Sequence, residues 1–231
     1  MATKPYTTLQ DIYEEAGLAV AANSETPNGE ANGTNKVFTV HNKPIVDADS
    51  DDVVTTADVQ VYVNGSPVAV TAVNSLFGNI TLAVAPAEDD EVTIDYRYSA
   101  VSMDYVSKLR DEAEQAVNNR MKLVDSCVPY GEGDKDVPVT VRNLTRQFAA
   151  AWLLIREYGF NQDIEGTSKD GYKRLETVKE ALEEYAATGG ECGTDGDNTP
   201  GTGSGAFQAS SDGDLFPQPD FNDLPRPEKD W

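Results

Sequence analysis

The spacing of hydrophobic residues divides the chain into helical and extended stretches. Near the N-terminus, apolar residues three or four apart predict a short helix from about Thr8 to Ala16, with Asp11 at capping-box spacing from Thr8. Three longer stretches with the same period predict helices over about 103–126, 138–158 and 168–187. The stretch 138–158 is apolar on nearly every side, so we expect it to be the most buried helix.

Between residues 36 and 98 the hydrophobic period changes from 3.6 to 2, which is the period of β-strands. Val59, Val61 and Val63 alternate with other side chains, and Asn64-Gly65 directly after them predicts a tight hairpin. The predicted strands cover residues 37–40, 59–63, 68–73, 80–84 and 92–98. Five short antiparallel strands favour a small sandwich or barrel.

These patterns predict an α+β fold: a small antiparallel helical bundle with an inserted all-β sandwich and an extended C-terminal tail. The predicted segments are an N-terminal helix of the bundle (1–22), a linker (23–35), the inserted β-sandwich (36–98), the bundle core (99–189), and a flexible linker followed by an extended docking tail (190–231).

The tail begins with a glycine-rich stretch, which favours a flexible linker, and its later prolines favour an extended chain. Large apolar residues and two bases stand out in this otherwise polar segment: Phe216, Phe221, Leu224, Trp231, Arg226 and Lys229. A linker followed by spaced anchors is typical of a segment that docks onto another protein. The alternatives are a disordered tail with incidental apolar residues and a tail folded back on its own domain.

The net charge of the chain argues against some classes of function. The chain has 40 acidic and 18 basic residues and a net charge of −22. This field repels phosphates, which argues against tight binding of nucleic acid by charge neutralisation. Evenly spread acid suits a protein kept soluble in high salt, whereas acid on one face suits a partner surface or a channel to which DNA must not adhere. Both interpretations stay open.

One acidic segment deserves comparison with a metal site. Asp47, Asp49 and Asp51 alternate along the chain, and Asp58 follows Asp47 by eleven residues, as the last acid does in a calcium-binding EF-hand loop. However, Asp52 occupies the position where that loop needs glycine. A solvated acidic loop is therefore the favoured interpretation, and these four residues are only a weak calcium candidate.

Other chemistry is sparse. The single histidine, His41, follows a predicted strand, which argues against a histidine-activated nucleophile. The cysteines, Cys127 and Cys192, are expected to be unpaired thiols. We find no catalytic residues and no cofactor motif, and therefore expect a non-enzymatic protein. No apolar run reaches transmembrane length, so we expect no contact with membrane.

Three stretches resemble, in their order, the head–tail connector (adaptor) proteins of tailed viruses: residues 8–13 (TLQDIY), 109–117 (LRDEAEQAV) and 138–154, which contains PVTVR and FAAAWLL. Members of that family form a helical bundle and assemble as a ring beneath the portal, commonly a dodecamer. The resemblance implies a structural virion protein that joins the portal to the tail and extends the DNA channel.

The partners implied are other copies of the chain in the ring, the portal protein and a downstream head-completion or tail protein. DNA would pass through the channel without specific binding. The implied location is the portal vertex or neck of the virion, after a stage in the host cytoplasm. Because the acidic composition is similar to that of haloarchaeal proteins, we expect a virus of a halophilic archaeon.

The predicted β insertion supports an alternative function. Residues 59–65 (VQVYVNG) together with 93–96 (TIDY) resemble small β-sandwich modules of virion proteins. The alternative is therefore a virion surface or fibre module that recognises a glycan or receptor through its β-sandwich. An adaptor should form one closed ring, whereas a fibre module should be a trimer or a monomer.

Overall fold

The computed structural model describes residues 4–132, 136–158 and 171–189 of the chain. Within them the protein has a mixed α+β fold with four α-helices and two antiparallel sheets. The helices are α1 (Leu9–Ala16), α2 (Met103–Met121), α3 (Val139–Tyr158) and α4 (Gly171–Ala187). All seven strands lie between α1 and α2 along the chain.

The four helices share one hydrophobic cluster, hereafter the helical cluster. In α3, eight consecutive residues from Phe148 to Ile155 are buried, so this helix contacts apolar neighbours on all sides. This confirms the prediction that it is the most buried helix. Gly171 begins α4 at a close approach to α3, where an added Cβ would lie 2.8 Å from the carbonyl oxygen of Ala151. The Arg156 guanidinium stacks over the Tyr105 ring, 3.4 Å from its centroid, and links α3 to α2.

The strands are β1 (Val20–Glu25), β2 (Val37–Thr39), β3 (Val59–Val63), β4 (Ser66–Val68), β5 (Val70–Asn74), β6 (Asn79–Leu82) and β7 (Val92–Tyr98). A short 3-10 helix, Thr56–Asp58, precedes β3. The first sheet has the strand order β1-β7-β3-β4, and the second has the order β2-β6-β5. Every strand pair is antiparallel.

Both sheets contribute to a second hydrophobic cluster, hereafter the β cluster. Its buried residues include Val61 and Ile94 from the first sheet and Phe38, Ile80 and Leu82 from the second. Alternation along each strand explains this arrangement, because every second side chain points to the same face of a sheet. The Asn64-Gly65 turn has positive φ at both residues, as the predicted tight hairpin requires.

The structure corrects the sequence prediction at two places in the β region. Residues 20–22, assigned to the N-terminal helix segment, and residues 23–25, predicted to begin a linker, together form β1, an edge strand paired with β7. The predicted strand 68–73 is two strands, because the chain passes from the first sheet to the second at Ala69. The partner of β1 is about 70 residues away, so its pairing has no local signal. The split at Ala69 arises because Val68 pairs with Val61 of β3, whereas Val70 pairs with Leu82 of β6 in the other sheet.

The ends of the helices match the predictions within a few residues, with one larger difference at α2. Thr8 caps α1 by accepting a hydrogen bond from the Asp11 amide, and Gly17 ends the helix in the left-handed conformation. In contrast, α2 ends at Met121 instead of near residue 126. Ser102 occupies the position before α2, but its side chain makes no capping hydrogen bond.

Cys127 is disulfide-bonded, which corrects the expectation of unpaired thiols. The spacing of two cysteines in a sequence does not reveal whether folding brings them together. Among the described residues, the helices are too short or too polar to span a bilayer.

Candidate functional site

The predicted docking residues of the tail, Phe216, Phe221, Leu224, Trp231, Arg226 and Lys229, lie outside the described residues. Within the described part of the chain, the candidate site from the sequence is the acidic loop, residues 47–58, which leads from β2 to β3. This loop lies where the two hydrophobic clusters meet, because Ile45 belongs to the β cluster and Val46 to the helical cluster.

Asp47 organises the first half of the acidic loop. Its side chain is buried, and its Oδ1 accepts hydrogen bonds from the backbone amides of Asp49 (2.9 Å) and Ser50 (3.0 Å). Its Oδ2 accepts a third from the Asp52 amide at 2.9 Å. Ser50 and Asp52 both have positive φ. Three amide donors therefore fold the backbone around this carboxylate.

Asp58 organises the second half. It is the last residue of the 3-10 helix, and its Oδ2 accepts from the Thr55 amide at 2.7 Å. The Thr55 side chain accepts in return from the Ala57 and Asp58 amides, which completes a capping box. The other Asp58 oxygen accepts from the Ala48 amide at 2.6 Å and thereby joins the two halves of the loop.

Three of the four weak calcium candidates come together. One carboxylate oxygen each from Asp47, Asp49 and Asp58 lies within 4.8 Å of the others, whereas Asp51 is outside the group and accepts from the Val53 amide. Partial desolvation, together with the charges of Asp58 and Asp51, raises the pKa of Asp49. Calcium takes six to eight oxygen ligands. Here both oxygens of Asp47 and of Asp58 accept backbone amides, so protein groups compete with a cation for these atoms.

Asp52 links the acidic loop to the helices. Its Oδ1 accepts from the amide of Leu9, the first residue of α1, at 2.7 Å, and its Oδ2 pairs with the Arg110 guanidinium of α2. The Arg110 side chain is 11% exposed and also donates to the Thr7 carbonyl. Asp52 therefore places a negative charge at the positive N-terminus of α1 while it neutralises a nearly buried arginine.

Two further contacts join the same regions. Arg97, on the outer face of β7, forms an ion pair with Glu14 of α1, and the Ser50 hydroxyl donates to the side-chain oxygen of Gln10 at 2.7 Å. The acidic loop and β7 thus hold α1 from the sheet side. The acidic loop is therefore a polar joint between the two hydrophobic clusters.

A second polar cluster, which the sequence did not indicate, surrounds Glu25 at the end of β1. Its carboxylate accepts from the Tyr96 hydroxyl (2.6 Å), the Asn42 side chain (3.0 Å) and the His41 amide (2.6 Å), and Nδ1 of His41 lies 3.1 Å away. Partial burial raises the pKa of Glu25, but these hydrogen bonds outweigh it, so the pKa is lower than usual. The His41 side chain is itself exposed, with 54% of its surface accessible.

The arginines of α3 differ in their surroundings. Arg146 pairs with Glu15 of α1 at 3.2 Å, and Arg174 of α4 approaches the same carboxylate at 3.4 Å. Arg142, one turn before Arg146, lines a cavity of about 230 Å³ together with Lys4 and other residues of the N-terminal segment. Glu15 therefore ties three helices together.

Comparison with known proteins gives no match: no protein-family model, no curated protein and no solved structure is similar to this chain.

Proposed function

We propose that this chain is a structural virion protein, the head–tail adaptor of a tailed virus. It forms a ring between portal and tail and extends the DNA channel. In this proposal the four helices form an antiparallel bundle, and the two sheets form a β-sandwich inserted after the first bundle helix. The observation that carries it is the order of the three helical stretches that resemble the connector family.

The packing of α1 supports this organisation. Although the whole β region separates α1 from α2 in sequence, Leu9, Ile12 and Tyr13 are buried in the same cluster as α2, α3 and α4. The Tyr13 hydroxyl also donates to the Val101 carbonyl at 2.7 Å, at the point where the chain leaves the sheets. This is the pattern expected when a β domain is inserted into a helical bundle, because the helices before and after the insertion still pack together.

The charge of the chain suits a DNA channel. At −22 per subunit, a ring presents DNA with a repulsive wall, so the duplex slides without adhering. The same charge makes neighbouring subunits repel each other, and this repulsion falls as salt shortens the Debye length. We expect the ring to be more stable in molar salt than in dilute buffer.

The tail provides attachment to the portal. We propose that its apolar anchors fill pockets on the portal, where each contributes on the order of 1–3 kcal/mol. Arg226 and Lys229, the only bases after Gly189, would pair with portal acids. Repetition around a ring turns weak single contacts into stable attachment.

Electron microscopy of the chain mixed with purified portal across a salt series tests this function. We expect closed rings coaxial with the portal. Removal of residues 215–231 should leave the melting temperature unchanged but abolish attachment. As a control, Arg226 and Lys229 are replaced by Ser, which should weaken attachment less than replacement of the four apolar anchors by Ser. A chain that stays unattached at every salt concentration refutes the adaptor, and a trimer supports the fibre module instead.

A further inference from the structure

The longest uncharged segment of the chain forms most of the second sheet. No Asp, Glu, Lys, Arg or His occurs from Val59 to Ala87, a run of 29 residues bounded by Asp58 and Glu88. At the overall charged fraction of 25%, a segment of this length would carry about seven charges. It contains β3, β4, β5 and β6. In so acidic a protein, a solvent-facing surface built from this segment is unusual.

The register of the second sheet defines its outer surface. Phe38, Ile80 and Val73 form the inward row, in which Phe38 and Ile80 are buried in the β cluster. The two neighbouring rows therefore point outward. These outward residues, hereafter the uncharged face, are Val37, Thr81 and Ala72 in one row and Thr39, Asn79 and Asn74 in the other.

An apolar tip extends the uncharged face at one end. In the turn between β5 and β6, Leu76 is 61% exposed and Phe77 is 58% exposed. The turn is fixed by backbone and side-chain hydrogen bonds: the Asn74 side chain accepts from the Phe77 amide at 3.2 Å, and the Ser75 carbonyl accepts from the Ile45 amide at 2.9 Å. The two apolar side chains are therefore presented on an ordered turn, at low entropic cost for binding.

A lysine lies at each end of the uncharged face. Lys36 precedes Val37, and its ammonium donates to the Ala83 carbonyl at 2.9 Å. Lys43 lies beside Gly78 at the other end, with its Cβ 3.7 Å from the position of a Cβ on that glycine. Both lysines are exposed. A surface with an uncharged centre and lysines at its ends fits a partner that is itself acidic.

The outer surface of the first sheet is different. There Asp95 accepts from the Ser24 amide at 2.6 Å, and Arg97 forms its ion pair with Glu14. That surface is charged and partly engaged by α1. The uncharged surface is thus a property of one sheet and not of the β region as a whole.

We propose that the uncharged face binds the same face of a second copy of this chain, in a two-fold symmetric contact. Each copy carries −22, so two copies approach most easily where neither surface is charged. Threonine, asparagine, alanine and valine side chains pack without burying an ion. The two-fold contact is distinct from the head-to-tail contacts that close a ring and does not depend on the proposed function.

The size of the surface sets the strength of the contact. Three short strands about 4.8 Å apart span a few hundred Å², whereas a stable interface needs roughly 800 Å² from each partner. We therefore expect a weak dimer that salt strengthens. Screening shortens the Debye length from about 10 Å at 0.1 M to about 3 Å at 1 M, so the dimer dissociation constant should fall at least about tenfold over this range.

Analytical ultracentrifugation of the full chain without portal, at 0.1 and 1 M salt, tests the proposal. Ala72→Glu places one charge on the uncharged face and should raise the dimer dissociation constant at least about tenfold. Ala21→Glu is the matched control, because Ala21 is also exposed on an edge strand but lies opposite Arg97 in the first sheet. It should leave the dissociation constant within about twofold.

Asn74→Asp provides a second test that preserves the fold, because the new carboxylate keeps the acceptor for the Phe77 amide. It should weaken the dimer in the same way as Ala72→Glu, while the melting temperature stays unchanged. The proposal is overturned if the wild-type chain remains monomeric at both salt concentrations, if Ala21→Glu weakens the dimer as much as Ala72→Glu, or if Asn74→Asp leaves the dissociation constant unchanged. Binding to portal plays no part in these outcomes, so they are independent of the adaptor test.

Discussion

The helical and β regions are stabilised in different ways. Among the residues that the structure describes, the helical cluster contains 29 buried apolar residues, whereas the β cluster contains 10. The β region compensates with carboxylates that accept several hydrogen bonds, namely Asp47, Asp58 and Glu25. The comparison indicates that apolar burial stabilises the helices, and that hydrogen bonds to charged acceptors, about 1.5–3 kcal/mol each, carry a larger share in the β region and its acidic loop.

The largest expected effect is in the helical cluster. Phe148 is fully buried in α3, and its ring centroid lies 5.7 Å from that of Trp152. Phe148→Ala leaves a cavity and should lower the free energy of unfolding by about 3–5 kcal/mol. Val139→Ala is the control, because Val139 belongs to the same helix but is 66% exposed. Urea denaturation measures both, and similar losses would contradict the dominant role of apolar burial.

The next effect concerns the joint between the regions. Asp52→Ala leaves the Arg110 guanidinium without its carboxylate and uncaps the Leu9 amide, which should cost about 2–4 kcal/mol. Asp49→Asn is the control in the same loop. Because desolvation and neighbouring charges raise the pKa of Asp49, removing its charge should leave stability unchanged or slightly higher.

Amide exchange locates the effect of Asp52→Ala. Protection of the Leu9 amide should fall in this variant, while β3 and β7, whose ladder hydrogen bonds do not involve Asp52, keep theirs. Unchanged exchange at Leu9 would show that the cap is dispensable.

A smaller and pH-dependent effect is expected at Glu25. Glu25→Gln removes the charge that three hydrogen-bond donors surround and should cost about 1–2 kcal/mol at neutral pH. The lowered pKa of Glu25 means that its contribution is present above the unfolded pKa, about 4.3, and is lost as the pH falls through the folded value below it.

Thermal melts from pH 7 to pH 3 test the direction of this pH dependence. The difference between wild type and Glu25→Gln should shrink toward zero at the acidic end. Glu30→Gln, at an exposed acid in the following loop, should show little difference at any pH. A Glu25→Gln difference that grows on acidification would contradict the assignment.

The sequence predicted local structure well and long-range pairing poorly. The 3.6 period and the capping-box spacing of Thr8 and Asp11 located the helices because these signals lie within one element. Strand β1 was missed because its residues VAANSE do not alternate, and its partner β7 is about 70 residues away. The acids of the loop were recognised from their spacing, but their partners were not, because Arg110 follows Asp52 by 58 residues.

The smallest expected effect is an increase in stability when an unsatisfied hydroxyl is removed from the helical cluster. Thr145 of α3 is fully buried, and its Oγ1 has no hydrogen-bond partner among the described residues. An unsatisfied buried hydroxyl costs free energy, and valine has nearly the same shape without it. Thr145→Val should therefore raise the free energy of unfolding by up to about 1 kcal/mol. Thr177→Val in α4 is the matched control: its hydroxyl donates to the Lys173 carbonyl at 3.0 Å and is exposed, so its loss should be neutral or slightly destabilising. Thr145→Val could instead prove the more destabilising of the two variants. That result would mean that another group accepts or donates a hydrogen bond at the Thr145 hydroxyl. The helical cluster would then depend on a buried hydrogen bond as well as on apolar burial.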